Sequence, residues 1–210
     1  MMRENLLFIL SGPSGVGKTS LIKRLSEIVP DLGLPVSHTS REPREGEIDG
    51  VHYYFTPPEE MDLMETYGDL IESSTKEDGT KYGLSRGEIR RMRRYKAAIV
   101  DLDADGARAV KTLLEDRSIL IMVVPAYGDE LALRLKARGT ESPQEIDRRL
   151  GRAVVEVSAS NEYDYLVVND NLEEAAHQVA AIIQAEQLRI TRAHNMEQVK
   201  AVMDDLCGTI

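Results

Sequence analysis

The sequence predicts an α/β fold built on a parallel sheet, with a loop-rich insert and a helical lid. Three observations predict it. An apolar run from Leu6 leads through a glycine-rich turn into a segment of helical spacing that ends near Ile28. Buried-strand runs alternate with helical runs through the second half of the chain, the pattern of a parallel sheet covered on both faces. Between the two lies a stretch so rich in proline and glycine that it suits short strands and loops.

Leu6, Leu7, Phe8, Ile9 and Leu10 form the first strand run. The turn after it reads Gly12-Pro13-Ser14-Gly15-Val16-Gly17-Lys18-Thr19, a Gly, four residues, then Gly-Lys-Thr. Backbone N–H groups converge on one polyphosphate only where contact residues lack a Cβ. Lys18 supplies a point charge for the β- and γ-phosphates, and the Thr19 hydroxyl can ligate Mg²⁺. Leu21, Ile22, Leu25, Ile28 and Val29 then recur at helical spacing, which sets the phosphates at a helix N-terminus.

Residues 36–96 read as an insert. "HYYFT" suits a strand, "EEMDLMETYGD" a short helix, and "DLIESSTKEDGTKYGLS" a strand running into a hairpin turned at Asp78-Gly79. The core resumes with the strand "AAIVDLD", the helix "GARAVKTLLED" and the strand "SILIMVVP". A helical stretch interrupted at residues 139–143 follows, then the strand "YDYLVVND" and a last core helix with Leu172, Ala176, Val179 and Ile183 on one face. The expected division is a core of 1–35, 97–133 and 153–190, the insert, a lid of 134–152, and a tail of 191–210. In the tail, Met196, Val199, Val202, Met203 and Leu206 have near-helical spacing, and docking on the core is expected.

The chain has 210 residues, and 26 Lys and Arg against 36 Asp and Glu give a formal charge of −10. That balance argues against nucleic acid as the main partner and makes local arginine clusters informative. A single Cys207 excludes a disulfide framework and points to a reducing cytosol. No run approaches the ~18 apolar residues of a membrane span, so no membrane association is expected. The four histidines show no metal spacing.

Three groupings carry chemistry beyond the turn. Arg41 and Arg44 flank a proline, with Ser37, Tyr53 and Tyr54 nearby, and two guanidinium forks on a stiffened loop suit a phosphate. Arg134, Lys136, Arg138, Arg148, Arg149 and Arg152 crowd the interrupted helical stretch, as a cationic lid over transferring phosphates would. Asp101 and Asp103 alternate at the end of a strand, facing one side, where an acidic residue can hold Mg²⁺. The basic run from Arg90 to Lys96 reads as a solvated helix face.

With "SGPSGVGKT", "SREPREGEIDGVHYYF", "LIES", "KYG", "DLDADG", "ARGTES", "RRL" and "YLVVNDNLEEA" in this order and spacing, the chain resembles the guanylate kinase family from about Leu6 to Glu186. The resemblance implies a P-loop kinase fold with a nucleoside-monophosphate-binding insert and a lid. It implies phosphoryl transfer from Mg-ATP to GMP or dGMP, giving ADP and GDP or dGDP. Residues 12–19, Arg134, Arg138 and Asn169 would face ATP, with Asn169 beside the adenine. Ser37, Arg41, Arg44, Tyr53 and Tyr82 would cage the acceptor phosphate, and Glu72 would accept from guanine N1 and N2. Asp101, Asp103 and Arg149 would complete the acceptor site. Lys18, Arg41, Arg138 and Arg149 would carry the transfer, and Thr19 with Asp101 would serve the metal.

Three departures bear on base selectivity. Leu84 stands where the family usually has Ser or Thr, leaving Ser85 as the nearest hydroxyl. The loop from Glu72 to Tyr82 is one residue longer than is common, and Asp105 replaces a usual Gln. Two alternatives follow: a kinase of another small phosphate ester, which would not need a carboxylate at Glu72, and an interaction module that has lost catalysis, against which the intact Lys18 and Thr19 argue.

Overall fold

The computed structural model describes residues 5–76, 78–137 and 143–208. Its centre is a five-stranded parallel sheet in the order β2-β7-β1-β8-β9, with β1 at Leu6–Ser11, β2 at Leu32–Gly33, β7 at Ala97–Asp101, β8 at Ser118–Val124 and β9 at Tyr165–Val168. Alternation along β1 divides its apolar run between two cores. Leu6, Phe8 and Leu10 pack on one face with Leu21 and Leu25 of α1 (Lys18–Ile28) and with Val179 and Ile183 of α7 (Leu172–Gln187). Leu7 and Ile9 pack on the other with Ala107 and Val110 of α4 (Ala104–Leu114). A strand buried on both faces has no polar side, which is why the run reads as continuous.

Residues 38–85 build a second sheet, β4-β3-β6-β5, with β3 at His38–Thr39, β4 at Tyr54–Phe55, β5 at Leu70–Thr75 and β6 at Lys81–Ser85. β5 and β6 are antiparallel, and Gly79 turns the hairpin with φ 82°. α2 (Pro58–Thr66) follows β4, and α3 (Arg86–Met92) follows β6. Glu88 of α3 anchors this layer: it is buried, accepts from Val36 N at 2.8 Å, and pairs with Arg91 at 2.6 Å. Those donors hold its carboxyl below the usual range against the cost of burial.

α5 (Gly128–Ala137) and α6 (Pro143–Ser158) pack on each other through Leu131, Leu135, Ile146 and Ala153. Among the described residues no helix is long and apolar enough to cross a membrane.

Two expectations need correction. The strand expected to carry both aspartates stops at Asp101; Asp103 is instead the N-cap of α4, its Oδ1 accepting from Gly106 N at 3.0 Å. A short side chain that can accept from the first turn ends the strand there. The tail does form a helix, α8 (Ala193–Gly208), but it does not dock. Met196, Val199, Val202, Met203 and Leu206 are all exposed.

Candidate active site

The glycine-rich turn lies at the C-terminal end of the central strand, where neighbouring connections diverge and an open parallel sheet leaves a crevice. Gly12 has φ 138°, and a Cβ there would stand 2.1 Å from Val123 O. Gly17 has φ 100°, and a Cβ would meet Asn169 Nδ2 at 2.6 Å. Both positions therefore exclude side chains on two independent grounds. Asn169 Nδ2 donates to Val16 O at 2.7 Å, and Arg134 Nη1 donates to the same oxygen at 3.1 Å. Arg134 also donates to Asn169 O at 2.9 Å. These two expected ATP-side residues thus brace the loop's own backbone. From α6, Arg149 Nη1 donates to Ser14 Oγ at 3.0 Å, so a lid arginine touches the loop directly. Arg138 lies outside the described residues.

Lys18 begins α1 and folds back over the turn, donating to Gly12 O at 2.6 Å. Its ammonium is 3.6 Å from Asp101 Oδ1 at the end of β7. The Asp101 side chain is 39% exposed, and the protein packed around the rest of it partly desolvates the carboxylate. That partial desolvation raises its pKa, with Lys18 opposing. Thr19 lies exposed in the same first turn as Lys18.

A row of contacts leads from Asp101 to the insert. Lys76 Nζ, from the β5–β6 hairpin, lies 2.7 Å from Asp103 Oδ2 and 5.9 Å from the Tyr82 ring centre. Tyr82 meets Tyr53 edge-on at 5.9 Å, and the Arg41 guanidinium lies 5.1 Å over Tyr53. Arg41 forms a two-pronged pair with Glu47, Nη1 to Oε2 at 2.6 Å and Nη2 to Oε1 at 2.7 Å, and Glu47 also accepts from Arg44 N at 2.8 Å. The carboxylate of Glu47 thus occupies the fork and one loop amide much as a phosphate would. Arg41 holds Glu47 down to about 2, and Glu47 raises Arg41 well above its ordinary value. The Arg44 side chain is exposed, and Ser37 sits half-buried, its carbonyl accepting from Tyr54 N at 2.9 Å. Tyr54 itself turns away, its hydroxyl donating to Glu88 Oε1 at 3.2 Å.

Glu72 on β5 is buried at 8% exposure. Burial first, and the nearby Asp103 charge second, push its pKa up to about 7. Its Oε2 lies against Gly106, where a Cβ would come within 2.8 Å. Leu84, paired in register with Glu72, is fully buried. Ser85 is the N-cap of α3, its Oγ accepting from Glu88 N at 3.2 Å, which leaves its own O–H to donate. Glu47, Lys76 and Gly106 were not singled out in the sequence. Only the longer hairpin loop hinted at Lys76; Glu47 sits in an irregular loop with no periodic signal.

For a divalent cation the donors available are oxygens, the Asp101 and Asp103 carboxylates and the Thr19 hydroxyl. Among the described residues no group of three or more metal-ligating side chains stands ready by itself. That suits Mg²⁺, which binds one or two carboxylates together with substrate phosphates rather than a protein cage.

The guanylate kinase family model matches residues 4–186. A guanylate kinase of Streptomyces coelicolor is 38% identical over 177 residues, 84% of this chain and 89% of that one. A guanylate kinase of Thermobifida fusca is 39% identical over 180 residues, 85% and 91% of the two chains. The crystal structure of guanylate kinase from Anaplasma phagocytophilum superposes with a TM-score of 0.74 at 27% identity, covering 90% of each chain. With a match across nearly the whole described core, this chain belongs to the guanylate kinase family.

Proposed function

We propose that the chain transfers the γ-phosphoryl group of Mg-ATP to GMP or dGMP, giving ADP and GDP or dGDP. The observation that carries the reading is the row of neighbouring side chains from Lys18 and Asp101, past Asp103 and Lys76, to Tyr82, Tyr53 and Arg41. Donor and acceptor phosphate sites stand on separate layers along one cleft.

An acceptor phosphate oxygen is itself the nucleophile, so the protein's work is positioning and charge neutralisation. Lys18 exchanges the Gly12 carbonyl for the β- and γ-phosphates. Arg41 and Arg44, with the Tyr53 and Tyr82 hydroxyls, hold the acceptor phosphate in line, Arg41 leaving Glu47 to do so. Arg149, already on Ser14, offers its guanidinium to charge developing on the transferring group. Asp101 and Thr19 would hold Mg²⁺, which when bound neutralises phosphate charge. Glu72, once ionised, accepts from the guanine N1 and N2 groups, with Asp103 beside it. The insert and lid are the bodies we expect to move against the core. A cytosolic enzyme of purine nucleotide metabolism fits the single Cys207.

A coupled ADP-release assay across GMP, dGMP, AMP, CMP, UMP and a sugar phosphate tests the reading. Turnover with the guanine nucleotides far above the rest is expected. Equal turnover with AMP or the sugar phosphate would move the assignment to another acceptor.

A further inference from the structure

A cavity of about 460 Å³ opens at the far edge of the core, beside the start of β1 and the end of α4. α4 is capped in the catalytic cleft by Asp103 and reaches this cavity with Leu113 and Leu114. Eleven helical residues at ~1.5 Å each put roughly 16 Å between the two sites.

The floor is apolar: Leu7, Ile71, Ile89, Leu113 and Leu114. Leu113 is 42% exposed, so part of that surface faces water. The rim is cationic: Arg86 and Arg90 from α3, Arg93 just past its end, and Arg117 from the 3-10 turn at Glu115–Arg117. Among the described residues no carboxylate lines the cavity. Several guanidinium groups elsewhere on this acidic chain meet acids, as Arg24 meets Glu173, Arg108 meets Glu162 and Arg192 meets Glu186. Here Arg86 is held by Gly68 O at 2.7 Å, while Arg90, Arg93 and Arg117 have no ion pair among the described residues. Four like charges around one concavity repel unless an anion joins them. The basic run from Arg90 is therefore not only a solvated helix face.

We propose that this cavity binds a nucleoside polyphosphate, phosphates on the arginine rim and base or ribose over the leucine and isoleucine floor. The volume lies within the range of small-ligand sites, roughly 300–1,000 Å³. Guanidinium forks suit several phosphate oxygens at once. An inorganic anion leaves the floor wet, and an uncharged nucleoside leaves the rim unneutralised. A long nucleic acid would meet the net charge of −10 beyond the rim. Among the described residues no nucleophile or acid–base pair lines the cavity, so the site binds and does not react.

The test is an equilibrium fluorescence titration of the full chain with N-methylanthraniloyl-ATP. Two equivalents per chain are expected. The double variant Arg90→Glu/Arg93→Glu should lose one of them, weakening it at least about tenfold, while its kcat for phosphoryl transfer stays unchanged. Arg117→Glu, on a different element, should weaken the same equivalent, and melting curves matching wild type show that both variants fold. Pyrophosphate and adenosine should each displace that equivalent at least about tenfold less well than ATP. A single equivalent, a second one that survives both charge reversals, or displacement by pyrophosphate as effective as by ATP would overturn the proposal.

Discussion

The ammonium of Lys18 lies 3.6 Å from Asp101 Oδ1 and 2.6 Å from Gly12 O, so the loop's one cation is held between a strand-end carboxylate and the loop's own backbone. Both partners are weaker than a triphosphate, and the charge is poised to transfer to one. Lys18→Ala should lower kcat about 10³-fold or more, since it removes charge aimed at the transferring group, and should leave thermal stability near wild type. Steady-state kinetics with a parallel melting curve check it. Near-normal turnover would sink the phosphate-loop assignment.

The Arg41–Glu47 pair sets an acid limit on stability. Glu47 titrates near 2 in the folded chain against an ordinary 4.5, and a depressed carboxyl stabilises above the unfolded value and loses that stability as pH falls toward the folded one. Urea unfolding between pH 5 and 2 should therefore show a steeper loss in wild type than in Glu47→Gln. Parallel slopes would mean the pair contributes nothing measurable.

Arg149 ties α6 to Ser14, and Lys76 ties the insert hairpin to Asp103. Both are contacts that bound nucleotides would re-form through phosphate and base. Small-angle scattering should show a smaller radius of gyration with both nucleotides than without, and Lys76→Ala should loosen the ligand-free chain alone. An unchanged radius on adding both ligands counts against moving layers.

The strands and the phosphate loop were legible in the sequence because each is a short-range pattern. Leu6 to Leu10 must be buried on both faces, and Gly12 to Thr19 has one backbone use. What was not legible depends on helix capping and loop closure, local contacts that hydrophobic periodicity does not register. Asp103 looked like a strand residue because a two-residue alternation ignores capping, whereas Ser85 with Glu88 three residues on carries the capping spacing that starts α3. Glu47 binds Arg41 only after the loop closes on itself. The tail's apolar spacing foretold α8 correctly, but spacing cannot say whether the core leaves room for it.

Gly106 tests the base pocket from its back wall. A Cβ there would stand 2.8 Å from Glu72 Oε2 and 3.4 Å from Asp103 Oδ1, both side-chain ends that can shift without unfolding the chain. Gly106→Ala should raise the KM for GMP about tenfold or more with little change in melting temperature, because a displaced acceptor loses hydrogen bonds to the base. An unaltered KM would mean Glu72 does not touch the acceptor.

Glu72 itself should make acceptor binding depend on pH near neutrality. Burial raises its carboxyl to about 7, so near pH 6 the folded chain holds it mostly protonated, and a protonated carboxyl is a poorer acceptor for two guanine donors. The sign follows: kcat/KM for GMP should climb as pH rises through about 7, and GMP binding near that pH should release protons. Calorimetry in two buffers of different ionisation enthalpy measures that release. Glu72→Gln keeps the shape, removes the titration and offers one acceptor where the carboxylate offers two oxygens. It should flatten the pH profile, abolish the proton release and shrink the GMP-to-AMP preference about 10²-fold. If the variant keeps both the preference and the slope, the guanine edge is read elsewhere and Glu72 is only a buried carboxyl held up by its surroundings.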